Sequence, residues 1–216
     1  MDSFTLIQFE YLLKGMAWTL LLSAISFVLG SLGGFGVMLA RVSRFKAVRI
    51  LTSLLIQIVQ GIPLLVLLFI VYFGVGVIGL NMPPLAAASI ALMIYVSAFL
   101  GEIWRGSVQS IEQTQWEASE CLGLSRWQSL RLVIIPQAIK LSLPATVGFL
   151  VQVIKSTSLA SVVGFVELTR AGQIINNSLF QPFLVFAIVG VLYFALCYPL
   201  SLWSRKMERK LNVGNR

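Results

Sequence analysis

A chain of 216 residues that is 58% hydrophobic and only 11% charged, with a mean hydropathy of +0.91, lies outside the composition of water-soluble domains and reads as an all-α integral membrane protein. Sixteen Lys and Arg oppose eight Asp and Glu, but the basic residues fall in the gaps between apolar runs, as in loops at a membrane face and not as in a groove that tracks phosphates. With no His, and with Cys121 and Cys197 far apart, neither a metal centre nor a disulfide framework is implied.

Five spans are expected in one domain, residues 1–216. Asp2 and Glu10 precede the first basic residue, Lys14, so the amino-terminal run lacks the positive start of a cleaved leader and is expected to stay in the protein. It forms span one, about 15–40, where Ser26, Gly30 and Gly34 recur every four residues and predict close approach by another helix. Span two, about 50–74, contains Pro63 and carries Gln57 and Gln60 at membrane depth. Pro83 and Pro84 mark the turn into span three, about 85–108, which reaches Glu102 and Arg105 at its far end. Span four, about 140–156, is short: the uncharged stretch between Lys140 and Lys155 covers ~21 Å, against a hydrocarbon core of ~30 Å. It is expected inside the protein, lining a path. Span five covers about 183–204.

Orientation follows from the basic residues. Loop 41–49, segment 105–140 and the tail from Arg205 share one side, and the positive-inside rule makes that side the cytoplasm. The amino terminus and the 156–182 connection are then outside, and the carboxyl terminus is cytoplasmic.

The cytoplasmic segment, about 109–136, reads as an elbow of two short helices. Gln113–Leu122 is stopped by Gly123, the residue type best suited to a left-handed cap. Ser125 and Gln128 form a capping box that opens the second helix, and Pro136 ends or kinks it. Trp116, Leu122, Leu124 and Trp127 give the elbow more apolar surface than a solvated loop needs, which points to a docking partner.

The run EASECLGLS is similar to the EAA signature of permease subunits of ATP-binding-cassette importers: Glu, Ala, Ala, three residues, then Gly. Here those positions are Glu117, Ala118, Ser119 and Gly123. Further stretches resemble the polar amino acid permease family in the expected order: Thr19 in GMAWTL, GIPLLV at 61–66, GEIWRG at 101–106, IIPQAI at 134–139, LP at 143–144 and KSTSL at 155–159. The chain departs from that pattern at Gln60, where Arg is usual, at Thr114-Gln115, where Gly-Gln is usual, and at Ser156, where Asp is usual.

The resemblance implies that 112–123 is a coupling helix seated in a cleft on a separate ATPase. Glu117 would offer a charge-assisted contact, Ala118 and Ser119 close backbone approach, and Gly123 with Leu124 the angle of the elbow. It also implies partners: two ATPase subunits, a second permease subunit, expected to be a copy of this chain, and an external substrate-binding protein, all within or against the lipids of a bacterial inner membrane.

No Gly-rich phosphate loop and no nucleophile elbow occur, so the chain is expected to be non-enzymatic, with no cofactor or metal of its own, ATP and Mg being bound by the partner. Candidates for a substrate path are Gln57, Gln60, Tyr95, Ser97, Glu102, Gln152, Lys155 and Thr157, polar groups at or near membrane depth. Each has a plainer use in helix-to-helix hydrogen bonding, and Glu102 in an ion pair with Arg105. The loss of a positive charge at Gln60 favours basic amino acids such as arginine, lysine or histidine, with neutral polar ones next. A stand-alone channel or ion-coupled carrier for a small polar solute is the alternative.

Overall fold

In the computed structural model, which describes residues 4–77, 79 and 81–214, the first apolar run is one helix, α1 (Leu6–Val42), which begins well before Gly15. Its small-residue face meets α4 (Pro84–Gln109), as the spacing of Ser26, Gly30 and Gly34 predicts. A Cβ at Gly30 would come within 2.5 Å of Val96, and one at Gly34 within 3.1 Å of Leu100. The two backbones therefore touch. Since lipid tails are as apolar as the seam, close packing and hydrogen bonds hold it, and Ser97 Oγ supplies one by donating across to Gly30 O at 3.2 Å.

Span two is not one rod. The sequence reading placed Pro63 inside a continuous run; instead α2 (Lys46–Gly61) and α3 (Leu64–Val77) meet at 101°. Pro63 accounts for this, because its ring pushes the preceding residue out of the helical region, and Ile62 is extended at φ −95°, ψ 131°. Pro63 O then accepts from Val66 N and Leu67 N to start α3. At ~1.5 Å per residue α3 alone is about 21 Å long, short of a span.

Span four is longer than expected. After α5 (Gln113–Cys121), helix α6 (Arg126–Ser129) passes through a π turn, Leu130–Ile134, into α7 (Ile135–Ser156) and ends in a 3-10 turn, Thr157–Val163. Arg126–Val163 is thus one stretch of 38 helical residues. Pro136 neither ends nor breaks it, because the wider π turn, closed by Ile135 N donating to Leu130 O, takes up the missing donor and the bulk of the ring. Ile139, Leu141 and Leu143 are exposed, so within this chain α7 is not enclosed.

The 156–182 connection, read only as a link, contains α8 (Leu168–Leu179), whose buried face is Leu168, Ala171, Ile175 and Leu179. It packs on the start of α1, where a Cβ at Gly15 would fall 2.9 Å from that of Ala171. The last helix, α9 (Pro182–Gly214), runs through Arg205 and Lys206, so the basic residues taken as a tail extend the fifth span as helix.

Candidate functional site

The elbow forms where local sequence says it should. Gly123 adopts φ +75°. Its N–H donates to Glu120 O at 2.9 Å, and Leu124 N donates to Ser119 O at 3.2 Å, the paired bonds of a Schellman cap. Ser125 then caps α6: its Oγ accepts from Gln128 N, and Gln128 Oε1 accepts from Ser125 N at 2.8 Å. Both helix ends at the corner are therefore closed by hydrogen bonds, which fixes the angle between them.

The same elbow is anchored to the bundle. Trp116, only partly exposed, packs on the cluster of Met38, Val108, Leu130 and Ile134, and Gln137 Nε2 of α7 reaches Gln115 Oε1 at 3.3 Å. This corrects the reading of Trp116 as partner-facing surface. Ser119 is corrected too: it is 2% exposed and its hydroxyl donates to Trp116 O at 2.7 Å, so its small size serves packing of α5 on its own chain. Glu117, Ala118 and Gly123 face outward, Leu122 is 78% exposed, Trp127 57%, and Leu124 is half-buried at the corner.

The path candidates do not form one cluster. Ser97 is consumed by the α1–α4 seam, and Thr157 is buried with its hydroxyl on Ile154 O at 2.7 Å. Tyr95 stacks against Phe99 and Phe149, at ring distances of 4.5 and 5.9 Å. Gln57, Gln60, Gln152 and Lys155 are exposed side chains on helix surfaces, and Gln60 stands in the last turn of α2, beside the break.

Glu102 pairs with Arg105, as its spacing allows, through Arg105 Nε at 2.7 Å. It is also held by Arg41 Nε at 2.8 Å, a partner 61 residues away that the sequence reading did not find. Arg41 in turn donates to Arg49 O at 3.2 Å, so one carboxylate ties α1, α4 and α2 together. Its surroundings are those of a structural clasp.

A second carboxylate was missed outright. Glu167, in the connection between spans, is fully buried and caps α8 by accepting from Thr169 N at 2.9 Å and Arg170 N at 2.8 Å. Tyr193 OH of α9 donates to it at 2.7 Å, and Thr19 of α1, which accepts from Leu168 N at 3.1 Å, stands beside it. Burial pushes this carboxyl above the usual carboxylate range, against the pull of the amide and tyrosine hydrogen bonds. The available signal was weak: Glu is an uncommon N-cap, and only the apolar spacing of Leu168, Ala171, Ile175 and Leu179 marks the helix it opens.

Residues 33–213 match the family described as binding-protein-dependent transport system inner membrane component. The chain belongs to this family. Its apolar helices and that family make it a multi-pass permease of the inner-membrane type. It is 36% identical over 203 residues to the probable amino-acid ABC transporter permease protein YckA of Bacillus subtilis (strain 168), covering 94% of this chain and 90% of the relative. It is 34% identical over 208 residues to the glutamine transport system permease protein GlnP of Escherichia coli (strain K12), covering 94% and 93%. A solved structure described as an amino acid ABC transporter with histidines superposes with a TM-score of 0.88 at 32% identity, over 97% of this chain and 100% of that one.

Proposed function

We propose that this chain is the permease subunit of an ATP-driven importer of polar amino acids, and that α5 is the seat for a separate ATPase subunit. The observation that carries the proposal is the elbow: an outward face of Glu117, Ala118 and Leu122 set on a corner locked by Gly123 and Ser125 and tied to the bundle through Trp116 and Gln137. A corner closed in this way moves with α7 as a body, so a push on α5 reaches the bundle without being lost in the loop. ATP and Mg would be bound by the partner, a second copy of this chain would complete the path, and an external binding protein would deliver cargo.

In the proposed orientation the elbow is cytoplasmic and the amino terminus outside, because Arg41, Arg44, Lys46 and Arg49 crowd the same end as the elbow. Cys121, exposed in the last turn of α5, is a natural reporter. A membrane-impermeant maleimide is expected to label it in inside-out vesicles and not in intact cells, and the assembled ATPase is expected to protect it. Labelling from outside would refute the orientation; equal labelling with and without the ATPase would refute the seat. Uptake that persists without ATP would return the chain to the carrier class.

For cargo, the relatives named for glutamine and for amino acids at large, and the structure with histidines, support polar amino acids as a class. The narrower proposal is a preference for basic ones. It rests on Gln60, an uncharged side chain exposed beside the 101° break, at the kind of discontinuous helix where transporters contact substrate. Restoring a positive charge there would repel a cationic cargo by roughly 1.7 kcal/mol at about 10 Å in an effective dielectric of about 20. Gln60→Arg should therefore lower arginine uptake relative to glutamine by about tenfold. An unchanged ratio would remove the basic preference while leaving the importer reading intact.

A further inference from the structure

Two cavities open along α1 near the elbow, and the same two helical walls line both. The first, about 420 Å³, is bounded by Leu39, Val42, Leu130 and Trp127, with Arg44 and Arg126 at its mouth. The second, about 260 Å³, is bounded by Phe35, Met38, Trp104 and Ile139. Phe35, Met38, Leu39 and Val42 follow one another at helical spacing on a single face of α1, and Leu130 and Ile139 belong to the continuous Arg126–Val163 stretch opposite. From Val42 to Phe35 the face climbs about 10 Å.

We propose that this groove binds an anionic phospholipid, with the phosphate between Arg44 and Arg126 and an acyl chain in the deeper cavity. The chemistry changes along the groove as a lipid does. The mouth stands where the uncharged run of α1 ends, at Ala40, so it is level with headgroups, and beyond it Phe35 and Ile139 are 44% and 52% exposed on an apolar cavity wall. Among the described residues neither Arg44 nor Arg126 forms an ion pair, whereas Arg41 and Arg105 are taken up by Glu102. Two unpaired guanidiniums at headgroup level, with a half-exposed Trp127 beside them, complement a phosphodiester.

The site also touches the elbow. The Arg126 guanidinium lies 5.8 Å from the centre of the Trp116 ring, so an occupied headgroup site would brace α5 from the membrane side. The π turn at Leu130–Ile134 falls between the two cavities, where Met38, Leu130 and Ile134 are packed together, so the acyl chain would cross over the half-buried Leu39 and Ile135.

Native mass spectrometry of the full chain, purified with its partners and offered phosphatidylglycerol or phosphatidylcholine of the same acyl length, tests this. One phosphatidylglycerol per chain should be retained, roughly 25-fold over phosphatidylcholine, from about fivefold per basic side chain. Arg44→Gln with Arg126→Gln should bring it down to the phosphatidylcholine level, and Ile139→Trp should lower retention of both lipids by filling the deep cavity without altering charge. Arg205→Gln with Lys206→Gln on α9 should change nothing. Should the double variant prove unfolded by thermal denaturation, Arg44→Gln alone, which lies outside the elbow, carries the same comparison at about fivefold. Equal retention of the two lipids, or full phosphatidylglycerol retention by the Arg44 variants, would overturn the site. So would loss of the ATPase from these variants with lipid retention unchanged, since the groove would then belong to a protein.

Discussion

Two interruptions in helical rods, one at Gly123 and one at Pro63, are built in opposite ways. At Gly123 the chain leaves α5 through paired backbone hydrogen bonds, enters α6 through a reciprocal capping box, and is nailed to the bundle by Trp116 and Ser119. At Pro63 the break is an extended Ile62 between two helices, bridged by Ile62 N donating to Ile58 O and by Pro63 O accepting from Val66 N and Leu67 N. Val59, Ile62, Leu64 and Leu65 pack against the core around Leu67 and Leu68. Caps on both sides and the contact of Trp116 with the core fix the first, the corner proposed to transmit force. The second is held by apolar packing around α3, while Gln57 and Gln60 stay exposed on the α2 side of the break. The comparison teaches that a turn's geometry is set by what satisfies and covers its freed backbone groups, local caps in one case and apolar packing in the other, more than by the residue that breaks the helix.

The sharpest way to break that contrast is Gly123→Val. Open space surrounds Gly123, so no clash arises, and the penalty is purely the left-handed backbone, about 1–2 kcal/mol or more for a β-branched residue. ATP-dependent uptake should fall at least about tenfold while the chain still inserts, as checked by uptake and by yield in the membrane fraction. Next in size, removing the box with Ser125→Ala and Gln128→Ala should cost about 1 kcal/mol locally and speed amide hydrogen exchange across Arg126–Gln128 by roughly fivefold. Gln137→Ala, which cuts the exposed tie to Gln115, should lower uptake by about threefold with stability in detergent nearly unchanged. The smallest effect is also the most diagnostic: Gly61→Ala, at a helical glycine with open space around it, should leave thermal stability unchanged or raise it by up to ~1 kcal/mol, whereas Gly123→Ala should lower it.

How much of this was legible in the sequence tracks the range of the forces involved. The elbow was readable because caps are local: Gly123, Ser125 and Gln128 act on neighbours within four residues. The α1–α4 seam was readable because small residues at spacing four have one common use in membranes. Hydropathy reports how apolar a segment is and says nothing of its direction, so Pro63 was seen but the 101° turn was not. Lys140 marked the edge of span four although a long side chain can carry its charge outward without ending the helix, and α7 therefore ran longer than its uncharged core. The two carboxylate clasps were hidden for a different reason. Arg41 meets Glu102 across 61 residues, and Thr19 meets Glu167 across 148, distances over which no spacing rule operates. The polar groups nominated for a path were found by the same rule that finds packing hydroxyls, and Ser97 and Thr157 proved to be the latter.

The central claim is that the angle at Gly123, and not merely the presence of α5, passes the work of ATP hydrolysis to the membrane helices. It is tested most directly by the ratio of amino acid imported to ATP hydrolysed in proteoliposomes of the assembled transporter carrying Gly123→Val or Gly123→Asn. Asparagine tolerates the left-handed conformation and valine does not. The account predicts a near-native ratio for asparagine and a collapsed one for valine, with hydrolysis continuing in both. Equal ratios for the two variants, whether both native or both collapsed, would contradict it.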